Sequence, residues 1–75
     1  MNNQEVITEL IEEKIATLQH KVADARATIE LYKNWQDGSP QQQRSRKRSY
    51  KRNLEKLPIL ESKVTLIKSI LSMYD

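Results

Sequence analysis

The chain has 75 residues, of which 37% are hydrophobic and 31% are charged, with no cysteine and a single histidine. This composition excludes disulfide-stabilised folds, and it argues against a structural zinc site, which needs several Cys or His ligands. One glycine and two prolines are typical of long helices. We therefore expect a single all-α domain over residues 1–75, stabilised by regular helix packing or by oligomerisation.

The net charge of +3 is unevenly distributed along the chain. Residues 1–37 carry seven acidic and four basic side chains, whereas residues 38–75 carry three acidic and nine basic ones. Apolar residues never form long runs, so neither a signal peptide nor a membrane span is expected. We therefore expect a cytoplasmic protein, and the absence of cysteine fits a reducing compartment.

The first predicted element is a helix over about residues 3–36. Apolar side chains recur within it at alternating steps of four and three residues, which is the heptad pattern of a coiled-coil seam. The seam consists of Ile11, Ile15, Leu18, Val22, Ala25, Ile29 and Tyr32.

A turn is predicted at residues 37–40. Gly38 suits the left-handed position that follows a helix, and Ser39 suits the N-cap of the next one. Pro40 is favoured as a first helical residue, and Gln42 completes a capping box with Ser39. A helix end followed at once by a helix start predicts an antiparallel two-helix coiled-coil hairpin.

The second predicted helix covers about residues 40–74. Pro58 is discordant, because a proline inside a helix removes a hydrogen bond and clashes with the preceding turn, at a cost of about 3 kcal/mol. The heptad phase continues through it, so we favour one helix kinked at Pro58. The alternative is a separate helix over 41–56 and a restart at Pro58. The predicted seam is Tyr50, Asn53, Leu57, Leu60, Val64, Ile67, Leu71 and Tyr74.

A second set of apolar side chains lies outside both seams, toward the end of the hairpin where the termini meet. An exposed apolar patch of this kind is typical of an interface. A homodimeric four-helix bundle is the simplest closed way to cover it. A different protein partner, or scattered surface hydrophobes, are the alternatives. The expected interface residues are Val6, Ile7, Leu10, Ile59, Leu66, Ile70 and Met73.

The basic run at residues 44–52 has six basic side chains among nine residues. On a helix, Arg46 points toward the seam, and one outward face is formed by Arg44, Arg48, Lys51 and Arg52. The outward stripe could neutralise phosphates, could meet an acidic protein surface, or could be a solvated face paired with Asp24, Glu30 and Asp37. The residues expected to bind a polyanion or an acidic partner are Arg44, Lys47, Arg48, Lys51 and Arg52.

Three aromatic side chains lie near this run in the predicted hairpin. Tyr32 and Tyr50 occupy seam positions, so we expect them in the core. Trp35 lies beside the turn and is the better candidate for an exposed aromatic that could stack on a nucleobase.

No arrangement of residues predicts catalysis, a cofactor or a metal. His20 falls on the outward face of the first helix. Glu9 and Glu13 are four residues apart, but the Glu-x-x-His pattern of carboxylate-bridged metal bundles is absent. We therefore expect a non-enzymatic, self-associating helical-hairpin protein of adaptor or small-inhibitor type that binds other proteins. The alternative function is a nucleic-acid-binding hairpin dimer that uses residues 44–52.

Overall fold

The computed structural model describes residues 3–74, which form two α-helices and no strand. Helix α1 spans Asn3–Tyr32 and helix α2 spans Pro40–Ser72. At one end, Gln4 Nε2 donates to the carbonyl of Tyr74 at 2.8 Å, so the beginning of α1 lies beside the end of α2. We call this end the open end. At the opposite end, which we call the turn end, residues 33–39 connect the helices. The predicted all-α fold with two helices packed against each other is confirmed.

The two helices meet along the predicted heptad seams. Every predicted seam position of α1 is buried or half-buried, and so are those of α2 from Tyr50 to Leu71. Tyr74 is the exception: it is 39% exposed because α2 ends at Ser72, two residues before it. The central cluster is formed by Leu18, Val22, Ala25 and Leu60, with Leu57, Val64 and Ile67 packed against it.

This core is thin. Within residues 3–74, no side chain has less than 2% of its surface accessible, and the most buried are Leu18 and Ala25 at 3%. The hairpin measures 57 × 19 × 14 Å and its radius of gyration is 17.1 Å. A compact domain of this length would have a radius of gyration of about 11 Å. The elongated shape therefore leaves each helix with one covered side.

The connection at the turn end is longer than the predicted turn at 37–40. Helix α1 ends at Tyr32 rather than near residue 36, and the amide of Trp35 donates to the carbonyl of Tyr32 in a tight turn. The Trp35 ring then packs edge-on against the Tyr32 ring, with 6.1 Å between centroids. Gly38 has a positive φ of 105°, as expected, but it belongs to the loop and does not terminate α1.

The start of α2 is capped as the sequence predicts. Ser39 is the N-cap, its hydroxyl accepts from the Gln42 amide at 3.2 Å, and Gln42 Oε1 accepts from the Ser39 amide at 3.0 Å. The first turns of α2 also hold the loop. Gln43 Nε2 donates to the carbonyls of Gln36 and Gly38, and the side chains of Trp35 and Arg46 both donate to the carbonyl of Asp37.

Pro58 lies inside α2, and the helix continues through it from Pro40 to Ser72. The separate helix that would restart at Pro58 is therefore not formed. The Pro58 ring is exposed and lines a shallow outward groove with Leu66, while its neighbours Leu57 and Leu60 pack into the core. Pro58 has no N–H to donate to the carbonyl four residues before it. Because this side of α2 faces solvent, water can hydrogen-bond to that carbonyl, which reduces the free-energy cost of placing a proline in the helix.

The core predicts a contrast between two leucines in α1. Leu18→Ala should lower the free energy of unfolding by about 2–4 kcal/mol, because it removes buried methyl groups and leaves a cavity. Leu31→Ala is the matched control, since Leu31 is 55% exposed and its change should stay within about 0.5 kcal/mol. Urea denaturation followed by circular dichroism measures both. Equal losses in the two variants would contradict the packing described for Leu18.

Candidate binding surfaces

The seven residues predicted to form an interface are all exposed in the hairpin. Their accessibilities run from 37% for Ile7 to 83% for Met73, with Leu66 at 63%. We call them the open-end surface, because most of them lie toward the end where Gln4 meets Tyr74. The full set is Val6, Ile7, Leu10, Ile59, Leu66, Ile70 and Met73.

Helical spacing places six of these seven residues toward one side of the hairpin, whereas Val6 lies on the outer side of α1, opposite the seam. Asp24 and Lys63 line the same groove between the helices. Leu10 lies fourteen residues before Asp24, so both side chains project from the same side of α1. Ile70 lies seven residues after Lys63, so both project from the same side of α2. Ile59, Leu66 and Met73 form the adjacent row on the outer side of α2.

The groove itself is rich in lysine. Lys21 of α1 and Lys56 and Lys63 of α2 line it, together with one carboxylate, that of Asp24. All four side chains are exposed and none of them forms an ion pair within residues 3–74. This middle part of the hairpin therefore carries an excess of positive charge beside the open-end surface.

The five predicted polyanion-binding residues form a separate surface on the turn-end half of α2, which we call the basic face. Each of them is exposed, and none forms an ion pair within the described range. The ion pair that does link the helices, between Arg26 and Glu61 at 3.0 Å, lies elsewhere. The alternative of pairing between the basic face and Asp24, Glu30 and Asp37 is not formed among residues 3–74. The basic face consists of Arg44, Lys47, Arg48, Lys51 and Arg52.

Arg46 differs from its basic neighbours, as its seam-ward position predicts. It is half-buried, and its guanidinium carbon lies 4.3 Å from the centroid of the Trp35 ring. Its Nη1 donates to the carbonyl of Asp37 at 2.5 Å. A cation over an aromatic face is attracted to the ring, so Arg46 closes the turn and is not part of the basic face.

The aromatic side chains near the basic face already make contacts within the hairpin. Trp35 is 41% exposed, as expected, but Arg46 occupies one face of its ring and Tyr32 contacts it edge-on. Tyr50 is half-buried in the seam. The contact with Arg46 leaves at most one face of the Trp35 ring for the predicted stacking role.

Two further leucines, Leu31 and Leu54, are exposed and belong to neither heptad seam. Both lie nearer the turn end than the open end, and neither belongs to the open-end surface. Their only signal in the sequence is that they fall outside the seam phase. They therefore serve as comparison positions for the two surfaces.

Comparisons with protein-family models, with curated protein sequences and with solved structures found no match to this chain. Over residues 3–74, neither helix is both long and apolar enough to cross a lipid bilayer. The same residues hold no group of three or more His, Asp or Glu side chains placed to bind a metal ion. The function is therefore inferred from the open-end surface and the basic face.

The basic face makes a prediction about stability. Arg48 has like-charged neighbours three and four residues away, namely Arg44, Lys51 and Arg52, and each such pair costs about 0.2–0.5 kcal/mol at low salt. Arg48→Gln should therefore raise the melting temperature by a few degrees at low ionic strength, and about 1 M salt should remove the gain.

The control is Lys14→Gln, because Lys14 is exposed and has no charged neighbour at these spacings in α1. Its melting temperature should match that of the unmodified chain. Thermal denaturation followed by circular dichroism measures both variants. A lower melting temperature for Arg48→Gln in low salt would show that Arg48 is engaged in a stabilising contact.

Proposed function

We propose that this protein is a non-enzymatic, self-associating helical hairpin that works by binding, as an adaptor or a small inhibitor does. Its open-end surface packs against a second copy, and the two hairpins form a four-helix bundle over part of their length. The observation that supports this most directly is the exposure of all seven residues of the open-end surface, six of them toward one side of a hairpin with a thin core. Covering that surface removes apolar area from water and adds to the marginal stability of a lone hairpin.

Charge favours one orientation of the second copy. If the two hairpins lay in the same direction, their basic faces would come together and repel. If they lie antiparallel and overlap at their open ends, the basic faces project from opposite ends of the dimer. A two-fold axis near Leu66 then pairs Ile59 of one copy with Met73 of the other, because each lies seven residues from Leu66.

The area required is modest for this shape. Stable interfaces bury about 800 Å² on each partner. The hairpin exposes 6099 Å² in total, so the dimer needs to cover roughly one eighth of it. An overlap of about half the hairpin length offers a surface of that size.

Light scattering at high micromolar concentration should give about twice the 8.8 kDa mass of one chain. Leu66→Asp should give the mass of a single chain, because it places two carboxylates against each other on the two-fold axis at a cost of several kcal/mol. Leu31→Asp is the control, since Leu31 is similarly exposed but lies at the turn end. It should keep the dimer mass.

A single-chain mass for the unmodified protein at these concentrations would overturn self-association. The open-end surface would then be left for a different protein, which is the second way an adaptor could use it. Dissociation by Leu31→Asp as readily as by Leu66→Asp would instead place the contact outside the open-end surface.

A further inference from the structure

We propose that the basic face binds the phosphate backbone of double-stranded nucleic acid. This inference rests on the basic face alone and does not depend on the self-association proposed for the open-end surface. Its five residues are exposed and unpaired within residues 3–74, and they crowd one side of two to three helical turns. Such crowding disfavours the free hairpin, and a polyanion would offset that cost by neutralising the charges.

The chemistry and length of the face fit phosphates. Arginine presents a planar fork of donors that matches a phosphate bidentately, and lysine contributes a point charge. Arg44 and Arg52 are eight residues apart, so the face extends about 12 Å along the helix. That length is close to the width of the major groove of a DNA duplex, about 12 Å, so the two ends of the face can reach phosphates on both sides of one groove.

The centre of the basic face lacks the apolar side chains that usually anchor a protein partner. Interfaces between proteins draw most of their binding energy from aromatic and aliphatic side chains that bury into pockets. Between Arg44 and Arg52, the outward position that is not basic is polar, namely Ser45, and the exposed Leu54 lies beyond Arg52 at the edge of the face. Contacts to nucleic acid, by contrast, come mainly from Arg and Lys to phosphate oxygens. The composition therefore favours nucleic acid over an acidic protein.

The aromatic residues favour a duplex over a single strand. Proteins that bind single strands without sequence preference stack bases on exposed aromatic rings. Here the Trp35 ring is covered by Arg46 on one face, and Tyr50 is half-buried in the seam. These rings therefore offer little surface for stacking bases, so contacts to the backbone should dominate, and these are available on a duplex of either DNA or RNA.

Fluorescence anisotropy with labelled duplexes of DNA and RNA of about 20 base pairs, and with a single strand of the same length, tests the proposal. We expect binding to at least one duplex at about 50 mM salt, tighter than to the single strand. The logarithm of the association constant should fall against the logarithm of salt with a slope of about −4, as for four to five neutralised phosphates.

Variants then assign the binding to the face. Arg48→Gln with Arg52→Gln should lower the association constant at least tenfold and reduce the slope by about two, because two fewer phosphates are neutralised. Lys14→Gln with Lys68→Gln removes the same charge elsewhere on the exposed surface and should leave the slope near its original value. Arg48→Lys with Arg52→Lys should keep most of the binding. Circular dichroism checks that each variant folds.

Several results would overturn the proposal. They are the absence of binding to both duplexes at low salt, equal losses from the two charge-removing pairs of substitutions, and tighter binding to the single strand. Tighter binding to polyglutamate, or to vesicles of anionic lipid, than to either duplex would also overturn it and would identify the acidic partner. Because none of these variants touches the open-end surface, the mass of the dimer can be measured on the same samples, and the two proposals can fail separately.

Discussion

The structure depends on one seam of apolar contacts between α1 and α2. A hairpin of two helices can cover only one side of each, and here that side is filled by the cluster of Leu18, Val22, Ala25 and Leu60. No residue in the described part of the chain is fully enclosed. Stability is therefore limited by geometry, since the seam already uses the apolar side chains that two helices can bury against each other. The exposed apolar side chains, among them those of the open-end surface, can contribute only by contacting something else.

The charge on the outer side of α2 differs between its two halves. On its outer side, a row at seven-residue spacing changes from Arg52 to Ile59, Leu66 and Met73, so one helix side is basic near the turn and apolar near the open end. Arg46 is the basic residue that the fold uses internally, because it packs on Trp35 and holds the carbonyl of Asp37. Its neighbours receive no such contact. The half of α2 with the least burial thus carries the most repulsion, and this is the half where a ligand would stabilise the protein most.

Much of the fold followed from the sequence because the heptad spacing and the Ser39–Gln42 capping box are local signals. The end of α1 did not, because it depends on Trp35 packing between Tyr32 and a side chain from the second helix, a contact that no local pattern encodes. Tyr74 is exposed rather than buried in the seam for a related reason: the heptad phase continues to Tyr74, but α2 ends before it. The exposed positions of both surfaces were predictable from helical phase. The binding partners were not predictable, because exposed residues indicate which kind of contact a surface can make but do not identify the molecule that makes it.

The seam alone covers only one side of each helix, and we propose that a second copy of the hairpin covers the open-end surface. The most direct test is the melting temperature of the unmodified protein at concentrations from about 1 μM to about 1 mM, because association of folded chains stabilises them by mass action. If the open-end surfaces pair, the melting temperature should rise by several degrees over this range, and the Leu66→Asp variant should show no rise. A melting temperature that does not depend on concentration would contradict the claim and would show that the seam stabilises the hairpin by itself.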